Sequence, residues 1–291
     1  MTKASLRTAI EAGTFVVAPG IHDMITAVVA NKVGFDFVYA SGYWMTASAF
    51  GLPDAGIASY TQMLDRVSTL TRVSQASVIA DADTGYGGLL NVHHTVQGYE
   101  AAGVVGIQIE DQEFPKKCGH TPFKRVVPTI DMVEKIKVAC AARKNARETL
   151  IIARTDARQT DGFEGALKRG LAYREAGADV VFLEALESEA EMRDACRRIN
   201  APMMANMADG GKTPIRSTDE LQSIGYKMAI YPSATGLAAA KAAENALTIL
   251  KIEHTSNSPK LPLFNFGEFN SLIGFEEVWD FERRWARPGA R

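Results

Sequence analysis

Cysteine is scarce in this chain of 291 residues. Cys118, Cys140 and Cys196 are too few and too scattered for a disulfide framework, so a reducing, cytoplasmic setting is expected. A basic excess is also missing. The 32 Lys and Arg against 34 Asp and Glu leave a net charge of -2, which argues against a nucleic-acid partner. No apolar run approaches the ~20 residues of a membrane span. The opening Met1-Thr2-Lys3-Ala4-Ser5 lacks the apolar core of a secretory signal. Internal repeats and low-complexity tracts are absent. The turn G-x-G-x-x-G does not follow the first candidate strand, which weakens the case for an open dinucleotide-binding sheet.

What remains is an ordinary globular balance, 46% hydrophobic and 23% charged, in a chain long enough for a large core. Short apolar runs rich in Val, Ile and Phe alternate with longer amphipathic stretches. Eight runs read as strands: 15–18, 37–40, 77–80, 105–109, 150–153, 180–183, 203–205 and 228–231. Helical spacing marks 60–73, 92–102, 132–143, 165–176 and 189–198, with Gly34, Gly103, Gly177 and Gly225 as stops. Strands without polar alternation suit a parallel sheet covered on both faces. Eight strand–helix units predict a closed (β/α)8 TIM-type barrel over residues 1–253, with an open doubly wound sheet as the rival. Beyond a polar linker at 254–260, aromatic residues at helical spacing predict C-terminal helices across 254–291. Their apolar faces need burial on this barrel or on a neighbour.

In such a barrel, catalytic groups stand where strands end. The ends read Tyr39-Ala40-Ser41-Gly42-Tyr43, Asp81-Ala82-Asp83-Thr84-Gly85, Glu110-Asp111, Arg154-Thr155-Asp156, Glu184 and Asn206. Acids, Arg and Asn thus converge on one rim, as an enzyme requires. Asp81 and Asp83 are two apart and share a face if the strand stays extended. With Glu110 they offer hard oxygen ligands for Mg²⁺ or Mn²⁺, although an Asp after a strand also serves as a helix cap or ion-pair partner. Arg154 either pairs with a structural acid or receives a substrate carboxylate; Glu184 could orient it for both. Backbone N–H groups at Ser41-Gly42-Tyr43 can meet an anion. Asn206 can donate through its amide.

The most telling stretch is Lys116-Lys117-Cys118-Gly119-His120, within a segment at 112–129 long enough to be a lid. Flanking cations favour a thiolate, so the thiol is expected to ionise readily. A lid that carries Cys118 to bound substrate explains both the charge and the thiol better than a solvated basic loop.

Four motifs together resemble the isocitrate lyase/PEP mutase superfamily: Lys116 to His120, Asp81 to Gly87, Ile107 to Asp111, and Ile152 to Ala157. The similarity runs from about residue 5 to 250. It implies a Mg²⁺-dependent (β/α)8 barrel whose C-terminal helices exchange between paired subunits of a homotetramer. Within the superfamily, K-[KR]-C-G-H is typical of lyases that break C–C bonds in malate-type 2-hydroxy acids, and of carboxyphosphonoenolpyruvate mutase. Asn206-Met207-Ala208-Asp209-Gly210-Gly211-Lys212 is similar to the N-M-x-E-G-G-K of the dimethylmalate-cleaving branch. Asp209 departs from its Glu, and Tyr43-Trp44-Met45 departs from the glycine-rich text of methylisocitrate lyases.

The implied reaction is cleavage of a 2,3-dimethylmalate- or methylisocitrate-like dicarboxylate to a 2-oxo acid such as pyruvate plus a carboxylate. Carried onto this sequence, Asp81, Asp83 and Glu110 hold the metal and Tyr39 acts as base. Cys118 protonates the departing carbanion, and Arg154, His120 and Glu184 complete the catalytic set. Ser41, Gly42, Tyr43, Asp54, Lys117, Gly119 and Asn206 bind the substrate. The rivals are a phosphonate enzyme (mutase or phosphonopyruvate hydrolase), an oxaloacetate decarboxylase or hydrolase, and a barrel that binds a metabolite without turnover.

Overall fold

A computed structural model describes residues 3–121 and 123–286 of the chain; the last five residues of the C-terminal segment lie outside them. Eight strands run in parallel: β1 (Val16–Ile21), β2 (Phe37–Ala40), β3 (Ser77–Asp81), β4 (Gly106–Glu110), β5 (Leu150–Thr155), β6 (Val180–Leu183), β7 (Met204–Asn206) and β8 (Met228–Tyr231). Each pairs with its neighbour in sequence, and β1 pairs with β8. A parallel bridge between Val181 and Met203 joins β6 to β7, so the sheet closes as a (β/α)8 barrel. The expected strand positions hold throughout. The first strand runs three residues further than expected, to Ile21.

Local chemistry explains where the helices start and stop. Asp23 caps Met24–Val33 through the backbone N–H of Thr26, and Gly34 ends it with φ 89°. Ser59 and Gln62 form a reciprocal capping box ahead of Tyr60–Val73, as do Ser217 and Glu220 ahead of Thr218–Ile224.

Side-chain alternation divides the core into two layers. Phe37, Tyr39, Ile79, Leu150, Ile152, Val180, Phe182, Met204, Met228 and Ile230 fill the barrel interior. Their neighbours Val38, Ala40, Val78, Ala80, Ile107, Ile109, Ile151 and Ala153 face the helices. Because the strand period is two, the inward parity continues to the strand ends. Tyr39, Asp81, Gln108, Glu110, Arg154, Glu184 and Asn206 therefore share the inner face at the C-terminal mouth. Asp111 and Thr155 have the opposite parity and face outward.

The other mouth is plugged by Leu6, from the helix Leu6–Glu11, which is fully buried in the interior cluster. Gly106 leaves room for it: a Cβ there would stand 3.1 Å from Leu6 Cδ2.

By compactness the chain divides into Met1–Gly236 and Leu237–Arg291. The division falls within the helix Ala234–Glu253, ahead of the boundary at 253 expected from sequence. In the second unit, Phe266–Leu272 and Phe275–Trp285 are helices with no buried residue. Phe266, Phe281 and Trp285 are each more than 60% exposed. Among the described residues no helix is long and apolar enough to cross a membrane.

Leu6 and the strand-end acids lie at opposite mouths. Leu6→Ala should therefore lower stability by about 2–5 kcal/mol in chemical denaturation while leaving kcat of the folded protein unchanged. A folded variant with reduced kcat would contradict this separation.

Candidate active site

Arg154 anchors the mouth of the barrel. Its Nε and Nη2 donate to the two oxygens of Asp156 at 2.9 and 3.0 Å. Nε lies 3.3 Å from Glu110 Oε2, and Nη2 lies 3.2 Å from Glu184 Oε2. The guanidinium stands over the Phe182 ring at 5.2 Å. Burial opposes its charge, yet Asp156, Glu110 and Glu184 outweigh it and push Arg154 well above the usual arginine range. Burial likewise opposes the Asp156 carboxylate, but Arg154 and Lys124 hold it below the ordinary range. Asn206 Nδ2 donates to Glu184 Oε2 at 3.0 Å, which ties β7 into the same group. Of the two alternatives for Arg154, the structural pairing is present and uses Nε and Nη2.

The acidic end lies beside it. The expectation that Asp81 and Asp83 share the face of an extended strand needs correction. β3 ends at Asp81, and Asp83 takes a left-handed backbone with φ 49°. A turn brings the two together: the Asp83 backbone N–H donates to Asp81 Oδ1 at 2.9 Å. A Cβ on Gly42 would stand 2.8 Å from Asp81 Oδ2 and 3.4 Å from Asp83 Oδ1, so only glycine lets the backbone come this close. Ser41 caps the helix Gly42–Phe50 without a side-chain bond, which leaves the amides of the first turn for a ligand. Tyr43 is 41% exposed and meets Trp44 edge-on at 5.2 Å.

Lys116 reaches into this end. Its Nζ lies 2.5 Å from Asp54 Oδ1 and 2.7 Å from Asp83 Oδ1. Burial opposes the ammonium, but Asp83, Glu110, Asp54 and Asp81 together raise it well above the usual lysine range. Burial pushes Asp83 up to about 7 despite Lys116. Burial also drives Glu110 well above the carboxylate range, and its Oε1 is buried without a partner.

This end fits a divalent cation. Its donors are hard oxygens, Glu110 Oε1 is orphaned, and four carboxylates face one lysine. Among the described residues no three His, Cys, Asp or Glu side chains stand close enough together to hold an ion by themselves, so a cation here would need one or two carboxylates and several waters.

The lid segment is pinched at its base by a Gln112–Val126 bridge, and the Gln112 amide clamps the backbone of Lys117. Its tip folds over Arg154. The two flanking lysines do not gather at the thiol. Lys116 turns away to Asp54 and Asp83, and Lys117 lies over the exposed Phe123 ring at 5.9 Å. Burial is the largest influence on Cys118 and raises its pKa, partly offset by the His120 backbone N–H. Burial thus favours the neutral thiol.

Two further expectations are refined by the surroundings. His120 Nε2 lies 3.5 Å from Asn206 Nδ2 and 3.6 Å from Glu184 Oε1, and its Nδ1 is buried without a partner. Tyr39, expected as the base, donates its hydroxyl to Gln108 Oε1 at 3.0 Å. Burial and Asp81 push it well above the usual phenol range, so at rest it is a proton donor.

The sequence marks Asp111 and Asp156 only as strand-end acids and Lys124 only as one cation of the lid, and it gives Gln108 no role. The inward parity of Gln108 was available as a signal. Nothing in the local text sets Lys124 apart from the other lid cations; its Nζ donates to Asp156 Oδ1 at 2.9 Å and to the Gly119 carbonyl.

The Phosphoenolpyruvate phosphomutase family model matches residues 6–251. The chain belongs to this family. It is 44% identical to 2,3-dimethylmalate lyase of Eubacterium barkeri, covering 98% of both chains. It is 43% identical to 2-methylisocitrate lyase of Aeropyrum pernix, covering 96% of this chain and 88% of that one. Oxaloacetate acetylhydrolase, solved with 3,3-difluorooxalacetate, superposes with a TM-score of 0.91 at 30% identity, covering 98% and 97% of the two chains. The protein is thus an enzyme of the phosphomutase family, a carbon–carbon lyase.

In this family member the lid glycine has a plain steric reason. A Cβ on Gly119 would overlap Arg154 Nη2 and stand 2.9 Å from Glu184 Cγ. Gly119→Ala should keep the barrel folded but lower kcat about 100-fold, the effect of displacing a positioned group by about 1 Å. Near-native kcat would show that the segment does not need to seat here.

Proposed function

We propose that the enzyme cleaves the C2–C3 bond of a malate-type 2-hydroxy acid, a 2,3-dimethylmalate-like dicarboxylate or a methylisocitrate-like tricarboxylate. The products are a 2-oxo acid such as pyruvate and a second carboxylate. The observation that carries this reading is the half-buried Cys118 thiol on a segment seated over Arg154 and Glu184. The names of the two relatives above support the substrate class.

Arg154 Nη1, Asn206 and the free amides after Ser41 would bind the substrate carboxylates. A divalent cation, Mg²⁺ or Mn²⁺, would be held at the Asp81, Asp83 and Glu110 end. When bound, it supplies positive charge that makes the neighbouring hydroxyl more acidic. The 2-hydroxyl proton leaves toward the carboxylates of Asp54, Asp81 and Asp83. Tyr39 acts as a hydrogen-bond donor, because its buried phenol holds its own proton. The C2–C3 electron pair passes to C3 as C2 becomes a carbonyl. Cys118 Sγ then gives its proton to C3, and the thiolate recovers one from solvent when the products leave. His120 and Glu184 position this tip, and closure of Lys117 and Gly119 over the site excludes water. Bulk at Tyr43 and Trp44 favours a dicarboxylate over a tricarboxylate.

The exposed aromatic faces of Phe266–Leu272 and Phe275–Trp285 support burial against another copy of the chain. Helix exchange within a homotetramer is the assembly we infer. The structural likeness to oxaloacetate acetylhydrolase supports one second reading, cleavage of oxaloacetate. Release of oxalate in place of a 2-oxo acid would favour it.

Cys118→Ser should retain oxalate binding by calorimetry but lose at least about 100-fold in pyruvate release, the contribution of one general acid. Unaltered turnover would remove Cys118 from the mechanism. The pH profile carries a sign. Burial favours the neutral thiol, so deprotonation of Cys118 should lower kcat only above the ordinary thiol range. A fall of kcat between neutrality and that range, absent in a Cys118→Ser profile, would contradict the assignment.

A further inference from the structure

Beside the approach of His120 to Glu184 and Asn206, one charged side chain of the segment itself ties the lid tip to the barrel. Lys124 lies six residues beyond Cys118, and its side chain is almost wholly buried, 1% exposed. Its Nζ donates to two groups on opposite sides of the closure: the Gly119 carbonyl in the tip, and Asp156 Oδ1 at the end of β5. Asp156 is itself fixed from three directions. It accepts both Arg154 bonds, and its backbone N–H donates to Asp111 Oδ1 at 2.9 Å. Asp111 in turn accepts from Thr155 Oγ1 at 2.6 Å and from the Tyr173 hydroxyl at 2.7 Å. The far end of the segment is tied separately. Val127 N–H donates to the Asp111 carbonyl at 2.9 Å, and Arg169 Nη1 donates to the Val127 carbonyl at 2.8 Å. Asp111 thus holds both the anchor of the segment and the acid that its tip must reach.

We propose that Lys124 is the latch of the lid: a positioning residue that clips the Gly119 carbonyl to Asp156 and so holds Cys118 over Arg154. The Gln159 amide also donates to the Gly119 carbonyl, at 3.5 Å, and Arg154 touches the tip without bonding that carbonyl; Lys124 bonds both the carbonyl and Asp156. A buried ammonium that lost these partners would be strongly disfavoured, so the latch either engages both or swings out to water with the tip. That gives the segment two discrete positions rather than a range.

The proposal deepens the role given to Cys118, yet its test needs no substrate. The rate of Cys118 alkylation by iodoacetamide is measured on the full-length protein at neutral pH, with each cysteine followed by mass mapping. Lys124→Met should raise the rate at Cys118 at least about tenfold, the factor carried by one hydrogen bond to a charged group. Cys140 and Cys196 should react as before, and Lys124→Arg should return Cys118 toward the native rate. The sign is informative, because removing a nearby cation by itself lowers the thiolate fraction and slows alkylation. Faster reaction therefore reports access. An unchanged rate at Cys118, or an equal rise at all three cysteines, would overturn the latch. If Lys124→Met fails to fold, Lys124→Ala, too short to reach the Gly119 carbonyl, is read by the same outcomes. A latch that fails here leaves the acid role of Cys118 to be judged separately by Cys118→Ser.

Discussion

The buried pairing of Arg154 with Asp156 is the constraint on which the rest of this site depends. Taking such a pair out of water is costly, and losing one partner typically destabilises by about 3–5 kcal/mol. The structure meets that cost with geometry. Asp156 accepts two bonds from one guanidinium edge, while Glu110 and Glu184 flank it from the neighbouring strands. Four consecutive strand ends, β4 to β7, are thereby held in one arrangement. The lid tip then has a defined surface to land on, and Gly119 is the residue that fits it.

The same network separates two tasks of opposite electrostatic character. One end gathers Asp54, Asp81, Asp83 and Glu110 around Lys116 and is rich in negative charge. The other places Cys118, His120 and Asn206 near Arg154. A substrate spanning both ends would lose a proton at the first and gain one at the second. In the proposed reaction, the burial that raises Cys118 favours the neutral thiol, the form able to donate.

Much of this was legible in the sequence, for a physical reason. Strands of period two, buried on both faces, fix which residues face inward, and the parity of Ile79, Ile152 and Phe182 carries straight on to Asp81, Arg154 and Glu184. The barrel and its rim follow from that alone. What stayed hidden depends on where flexible side chains go. Lys116 and Lys117 adjoin Cys118 in the chain, yet one reaches the acidic end and the other an exposed ring, so adjacency misjudged the thiol. Asp83 shares a space with Asp81 through a left-handed turn that no spacing rule reveals. Lys124 carries no local signal, because its partners come from β5 and from the tip that it secures. Tyr39 donates to Gln108, a residue 69 positions away, and its state is set by burial and by Asp81 from another strand.

The central claim is that a seated thiol, not bulk water, supplies the proton to C3. Cleavage of 2,3-dimethylmalate in D₂O tests this most directly, by NMR analysis of the carboxylate product. The account requires one deuterium at the former C3, in a single configuration. Product labelled equally in both configurations would mean that protonation occurs from solvent after release, and would contradict the role given to Cys118.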